Sequence, residues 1–213
     1  MTAHELQHRV LRKAKFKGDA TKFVLHEVIL GGEMERPIHF NELIYEVTLK
    51  WWQWSEEDRR DTYLLLKRNV FWEEATPCSI PPLSVFGEAF YSENSRSSKS
   101  AAFKKYQFSM NNAKLTRSKE QKSGASSELN TWDIEKIIWY FGCEARRSAP
   151  YNFNITFIEK DTVMERSKER PFFGRTISFA SREFFIKFVA SMIVAEHQNN
   201  VNPPELLLHI EDD

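Results

Sequence analysis

The chain has 213 residues, of which 41% are hydrophobic and 14% aromatic, with Lys+Arg and Asp+Glu balanced at 30 each. That apolar bulk excludes global disorder, and the zero formal charge excludes a general polyanion binder. Two cysteines, Cys78 and Cys143, exclude a disulfide framework, and no apolar run approaches the ~20 residues that span a bilayer.

The N-terminal stretch lacks the apolar core of a signal peptide, which predicts an intracellular protein, nuclear or cytoplasmic, with reduced thiols and no membrane partner. Charge is uneven along the chain. Residues 1–76 are net −1, 77–130 net +4 and 131–213 net −3. No internal repeat is visible.

Residues 1–19 read as a basic arm, frayed or forming a first helix on Leu6, Val10 and Leu11. An apolar stretch follows (Phe23, Val24, Leu25, Val28, Ile29, Leu30), which Gly31 and Gly32 stop. Phe40, Leu43, Ile44, Val47 and Trp51 then recur at i, i+3, i+4, i+7 and i+11, one face of a helix. Three of the six tryptophans fall at 51, 52 and 54. Ser55 is an N-cap candidate for a second helix, with Glu56, Glu57 and Asp58 on the positive end of its dipole. That helix offers Tyr63, Leu64, Leu66 and Val70 inward, and Pro77, Pro81 and Pro82 close the block.

Residues 83–91 read as a strand. Residues 92–130 are rich in Ser, Asn and Lys and read as a linker or long loop, with a candidate strand at 103–110. Asn130 caps a predicted helix with the stripe Ile134, Ile137, Ile138 and Phe141, ended by Gly142. Strands are predicted at 151–158, 171–180 and 204–210. Ser181 caps a helix carrying Phe184, Phe185, Phe188, Val189, Met192 and Ile193. The order α-β-β-α-β over 131–213 makes a small α+β domain.

The run FNELIYEVTLKWWQWSEEDRRDTY resembles the middle of an HMG box. The positions that carry the resemblance are Phe40, Leu43, Val47 and Trp51, then the Ser55-Glu56-Glu57-Asp58 turn, then Tyr63. The resemblance implies three helices in an L over residues 20–76, with Leu43, Val47, Trp51 and Tyr63 in the structural core. The predicted fold class is thus α+β, an N-terminal three-helix HMG-box-like module followed by a small α+β domain, with 77–130 between them. The resemblance also places Phe40 where such boxes carry an apolar wedge that bends DNA from the minor groove. The block's charge of −1 points away from duplex DNA and toward structured RNA or a protein partner.

Binding candidates for DNA or structured RNA are therefore Phe40, the N-terminal cations Arg12, Lys13, Lys15 and Lys17, and Lys104, Lys105 and Tyr106. Cations hold phosphates while aromatics stack on bases. The alternative is a protein–protein adaptor subunit of a nuclear or RNA-processing complex, since aromatic anchors dominate protein interfaces. No CxxC, HExxH, GxGxxG or Walker pattern occurs, so neither a metal nor a cofactor is predicted. His4 and His8 stand four apart, and the acid pairs Asp133/Glu135 and Glu159/Asp161 read as a helix start and a strand exit. No catalytic constellation is readable, and a non-catalytic protein is predicted.

Overall fold

A computed structural model of the chain describes residues 1–68, 84–93, 102–120, 126–160 and 172–198. Among the described residues the architecture is one antiparallel sheet of ten strands with few helices, in the spatial order 63–68, 23–29, 34–37, 137–142, 153–159, 175–179, 84–92, 104–111, 114–120 and 126–133.

The N-terminal module begins with α1 (Ala3–Lys13). Its start is a capping box: the Thr2 hydroxyl accepts from Glu5 N–H (3.2 Å) while the Glu5 carboxylate accepts from Thr2 N–H (2.9 Å). The apolar stretch after it is β1 (Phe23–Ile29), joined to β2 (Met34–Pro37) through Leu30, Gly31 and Gly32, all at positive φ. Next come α2 (Ile44–Trp51) and the one-turn α3 (Glu56–Arg60), where Ser55 accepts from Asp58 N–H at 3.1 Å. The chain then returns as β3 (Tyr63–Arg68), running antiparallel along β1 from Val28↔Tyr63 to Phe23↔Arg68.

The three-helix L is therefore corrected. The helix expected to run on through Tyr63 and Leu64 stops at Arg60, and Leu64 and Leu66 instead pack from the sheet onto Ala3, Leu25, Ile38 and Val47. Strand pairing with β1 wins because it buries alternate leucines and satisfies the backbone together, which a lone short helix cannot do. The segment KFVLHEVILGG at 22–32, which the HMG-box resemblance would make a shortened first helix, is mostly strand β1. Val70 and the prolines at 77, 81 and 82 lie outside the described residues, as do Cys78 and the strand expected at 204–210.

The remaining strands are β4 (Ser84–Ser92), β5 (Lys104–Asn111), β6 (Lys114–Glu120), β7 (Ser126–Asp133), β8 (Ile137–Gly142), β9 (Phe153–Glu159) and β10 (Arg175–Phe179), followed by helix α4 (Arg182–Gln198). The sheet curls over on itself here: Trp132 of β7 stacks edge-on against Phe157 of β9, with ring centroids 5.0 Å apart. Phe185, Phe188, Val189 and Met192 of α4 close the interior. Its N-cap is Ser181, whose hydroxyl accepts from Phe184 N–H at 3.3 Å.

Two further expectations change. The Ser/Lys-rich stretch is largely structured, holding β5, β6 and the start of β7, because Phe108, Met110 and Leu115 alternate into the core. The helix expected after Asn130 is the end of β7, a 3-10 turn and β8. Ile137, Ile138 and Phe141 fit a helical period, but they sit in a strand held by β9 and, near its end, by β2. Short apolar runs satisfy both periodicities, and only partners decide between them.

The two halves share structure. β2 pairs with β8 (Met34↔Gly142, Glu35↔Phe141). Ile29 and Met34 from the first half form one apolar cluster with Ile138, Tyr140, Ile158 and Phe173 from the second.

Candidate functional site

The tryptophan cluster divides three ways. Trp51 is half-buried and donates its indole N–H to Glu27 Oε1 (2.7 Å). Trp54 meets Phe173 edge to face across the seam between the halves (6.1 Å). Trp52 stands 70% exposed, with the Arg59 guanidinium 4.7 Å from its ring centroid.

Beneath α2 lies a buried polar cluster. Arg36 of β2 donates from Nε to Glu27 Oε2 (2.6 Å) and from its two terminal nitrogens to both Glu42 oxygens (2.7 and 2.9 Å). Tyr140 of β8 donates to Glu27 Oε2 at 3.3 Å, so the cluster reaches the second half. Burial alone would push the Glu42 carboxyl up, but Arg36 and the His39 N–H hold it down at about 2. Burial would likewise depress Arg36, yet Glu42 and Glu27 keep it above its ordinary value. This cluster is a fully paired structural joint that fixes where α2 sits.

The other end of the module is rich in cations. The last turn of α1 carries Arg12 and Lys13, and Lys15 follows at φ 52. Phe16 turns back onto Phe23 (5.0 Å, edge to face), which brings Lys15 and Lys17 to the start of β1. The Gln7 side chain donates to Ala20 O (3.0 Å) and ties the loop to α1. Arg12, Lys13, Lys15 and Lys17 are exposed, with no ion pair among the described residues. Arg68 faces Phe23 across the ladder, so the end of β3 adds its charge to the same place. The outer edge of β3 has no neighbour among the described strands and carries exposed Tyr63 and Leu65.

The other expected site residues scatter. Phe40 is a half-buried turn residue against His39 (4.3 Å), and its carbonyl accepts from His4 N–H. It is neither a helix start nor a projecting wedge. Lys104 and Lys105 are exposed on β5, with Lys105 paired to Glu88 at 2.5 Å, while Tyr106 is half-buried under Arg117 (4.7 Å). These three lie in the second half, and nothing brings them to the α1 cations. Among the four residues expected in the core, Val47 is 1% exposed and Trp51 half-buried, whereas Leu43 and Tyr63 are 41% and 45% exposed. Missed altogether were Glu27, Arg36 and Glu42. Their only trace in the sequence was charge inside apolar stretches. Among the described residues no group of three metal-ligating side chains forms, and no helix is long and apolar enough to cross a membrane.

Residues 1–71 match the family model of the Ras association (RalGDS/AF-6) domain. No curated protein matches the chain in sequence. The fold is similar to the crystal structure of the coiled-coil, RA and PH domains of Lamellipodin, with TM-score 0.67 and 11% identity over 92% of this chain and 79% of that one. The pleckstrin homology domain of ArhGAP27 also matches, with TM-score 0.38 and 11% identity over 53% of this chain and 97% of its own. These findings replace the HMG-box resemblance, and with it the DNA- or RNA-binding reading.

Proposed function

We propose that this chain is a non-catalytic, intracellular signalling adaptor whose N-terminal module binds a small GTPase of the Ras class. The observation that carries the reading is the match of residues 1–71 to the Ras association family. Two features of the module support it. The cations Arg12, Lys13, Lys15 and Lys17 have no ion pair among the described residues, which suits an acidic protein surface and speeds its encounter. Beside them the outer edge of β3 has no neighbour among the described strands, and such an edge can extend a sheet in trans.

The test is calorimetric titration of the full chain with Ras-class GTPases, each loaded with a non-hydrolysable GTP analogue or with GDP. Binding is expected to favour the GTP form and to weaken with salt. Reversing Lys13, Lys15 and Lys17 together to Glu is expected to weaken it at least about tenfold, because like charges then face the partner. Equal binding of both nucleotide states, or none across the class, would overturn the reading.

A further inference from the structure

Twelve large apolar side chains among the described residues are more than a third exposed, and three of them, Tyr45, Leu49 and Trp52, share one face of α2. Met1, Leu43, Tyr45, Leu49 and Trp52 lie on α2 or its flanks, Met1 being held there through its carbonyl, which accepts from Ile44 N–H at 3.1 Å. Tyr45, Leu49 and Trp52 stand at i, i+4 and i+7, a single stripe on the side of α2 away from the buried Val47. Tyr45 and Trp52 are each 70% exposed, and the Arg59 guanidinium sits 4.7 Å from the Trp52 ring centroid. A contiguous patch of Tyr, Leu and Trp beside an Arg has the composition of an interface centre.

The charges around the stripe select the occupant. Glu46, beside Leu49 on the helix, and Glu57 on α3 are exposed, with no ion pair among the described residues. The nearby cations are engaged: Arg60 with Glu56 (3.8 Å), Arg59 on Trp52, and Lys50 half-buried toward Glu42 and Arg36. The unanswered charge is thus negative. We propose that the outer face of α2 is a second docking surface, one that takes a basic amphipathic helix from a partner protein. A second copy of this chain fits poorly. A two-fold pairing of α2 would bring the unanswered carboxylates of both copies into one interface, and an eight-residue helix, about 12 Å long, falls well short of the ~800 Å² per partner of a stable dimer. An anionic membrane would meet the same carboxylates. The surface is separate from the α1 cations, so an adaptor would hold two proteins at once.

The full chain would be titrated with a synthetic Leu/Lys peptide, its leucines at i, i+3, i+4 and i+7, and with the same peptide carrying Glu for Lys. Tryptophan emission and calorimetry report binding. The Leu/Lys peptide is expected to bind and to shift the emission to the blue, and the Leu/Glu peptide to do neither. Leu49→Ser with Trp52→Ser is expected to weaken binding at least about tenfold, as does Tyr45→Ser with Trp52→Ser, and Glu46→Lys a few-fold. These side chains are exposed, so an unchanged circular dichroism melt certifies the variants as folded. Equal affinity of the double variants would overturn the proposal, as would equal binding of the Leu/Glu peptide. So would sedimentation of the chain as a dimer that Leu49→Ser with Trp52→Ser dissolves, or binding to phosphatidylserine vesicles lost in the same variant. Neither peptide reports on GTPase binding, so the two functional readings stand or fall separately.

Discussion

Arg36 binds two carboxylates at once, Glu27 buried and Glu42 partly exposed, through hydrogen bonds of 2.6 to 2.9 Å. Such a site is unforgiving of losing one member, because the others stay buried and unpaired. Arg36→Leu is expected to lower stability by about 3 kcal/mol or more in urea denaturation. The same variant should change the acid limb. Glu42 keeps its charge in the fold to about pH 2, so its stabilisation is full above the unfolded carboxyl range and is lost as pH falls through the folded value. Without Arg36 that loss begins at higher pH. A variant as stable as the parent, with an unchanged acid limb, would mean that the cluster is incidental. The three neighbouring tryptophans make a related point. Residues of one type within four positions have three different roles, each set by what lies across from it.

The junction of β2 with β8 depends on one backbone conformation. Gly142 has φ +91, and a Cβ there would lie 2.2 Å from the carbonyl oxygen of Glu33. Neither the dihedral nor the contact can be relieved by moving a flexible side chain. Gly142→Ala is expected to lower the melting temperature by roughly 4–12 °C, the shift that ~2–3 kcal/mol produces in a chain of this size. A loss of only a degree or two would show that the strands separate there without consequence. Among the elements, two helix starts were legible beforehand, whereas the cap and stop assigned to Asn130 and Gly142 misled. Ser181 caps α4 and Ser55 caps α3, because an N-cap is written in a few adjacent residues. The extent of α3, and the strand nature of 137–142, were not. Tyr63-Leu64-Leu65-Leu66 continues a helix as well as it builds a strand, and β1, some forty residues earlier, decides the matter.

Across the whole molecule, opposing titrations shape the stability curve. The His26 imidazole is driven down to about 4, first by burial and then by Lys67, so the unfolded chain takes a proton more readily between about 6.5 and 4 and stability falls with acid there. Glu196 of α4 runs the other way. Burial lifts its carboxyl to about 7 although Trp139 donates to it at 2.8 Å. A carboxyl raised in the fold contributes stability below its unfolded range and loses it as pH rises through the folded value. The two slopes oppose each other between about pH 4.5 and 6.5, so thermal stability is expected to be nearly level there and to fall between about pH 6.5 and 7.5. Glu196→Gln keeps an acceptor for Trp139 and should flatten that alkaline decline, gaining a few degrees at pH 8 and little at pH 5. Calorimetry from pH 4 to 9 checks this, and a parallel decline in both proteins would remove Glu196 as the cause.

Local codes were readable from the residues alone. The caps at Ser55 and Ser181, the glycine stop at 31–32, the strands expected at 83–91 and 151–158, and the Phe-rich helix after Ser181 all follow from neighbours within one turn or one pleat. The apolar content also required a core. Pairing was settled only in three dimensions. A run such as Ile137–Phe141 or Tyr63–Leu66 has comparable local free energy as helix or strand, and burial against distant partners supplies the difference. The candidate surfaces divide in the same way. The basic run at 12–17 was visible in advance, because exposure of consecutive cations needs no partner to predict it. That Trp51 would turn inward to Glu27, Trp54 to Phe173 and Trp52 out to solvent depended on where β2, β8 and α2 meet. Contacts far apart in the chain settle that meeting, and no window of adjacent residues contains them.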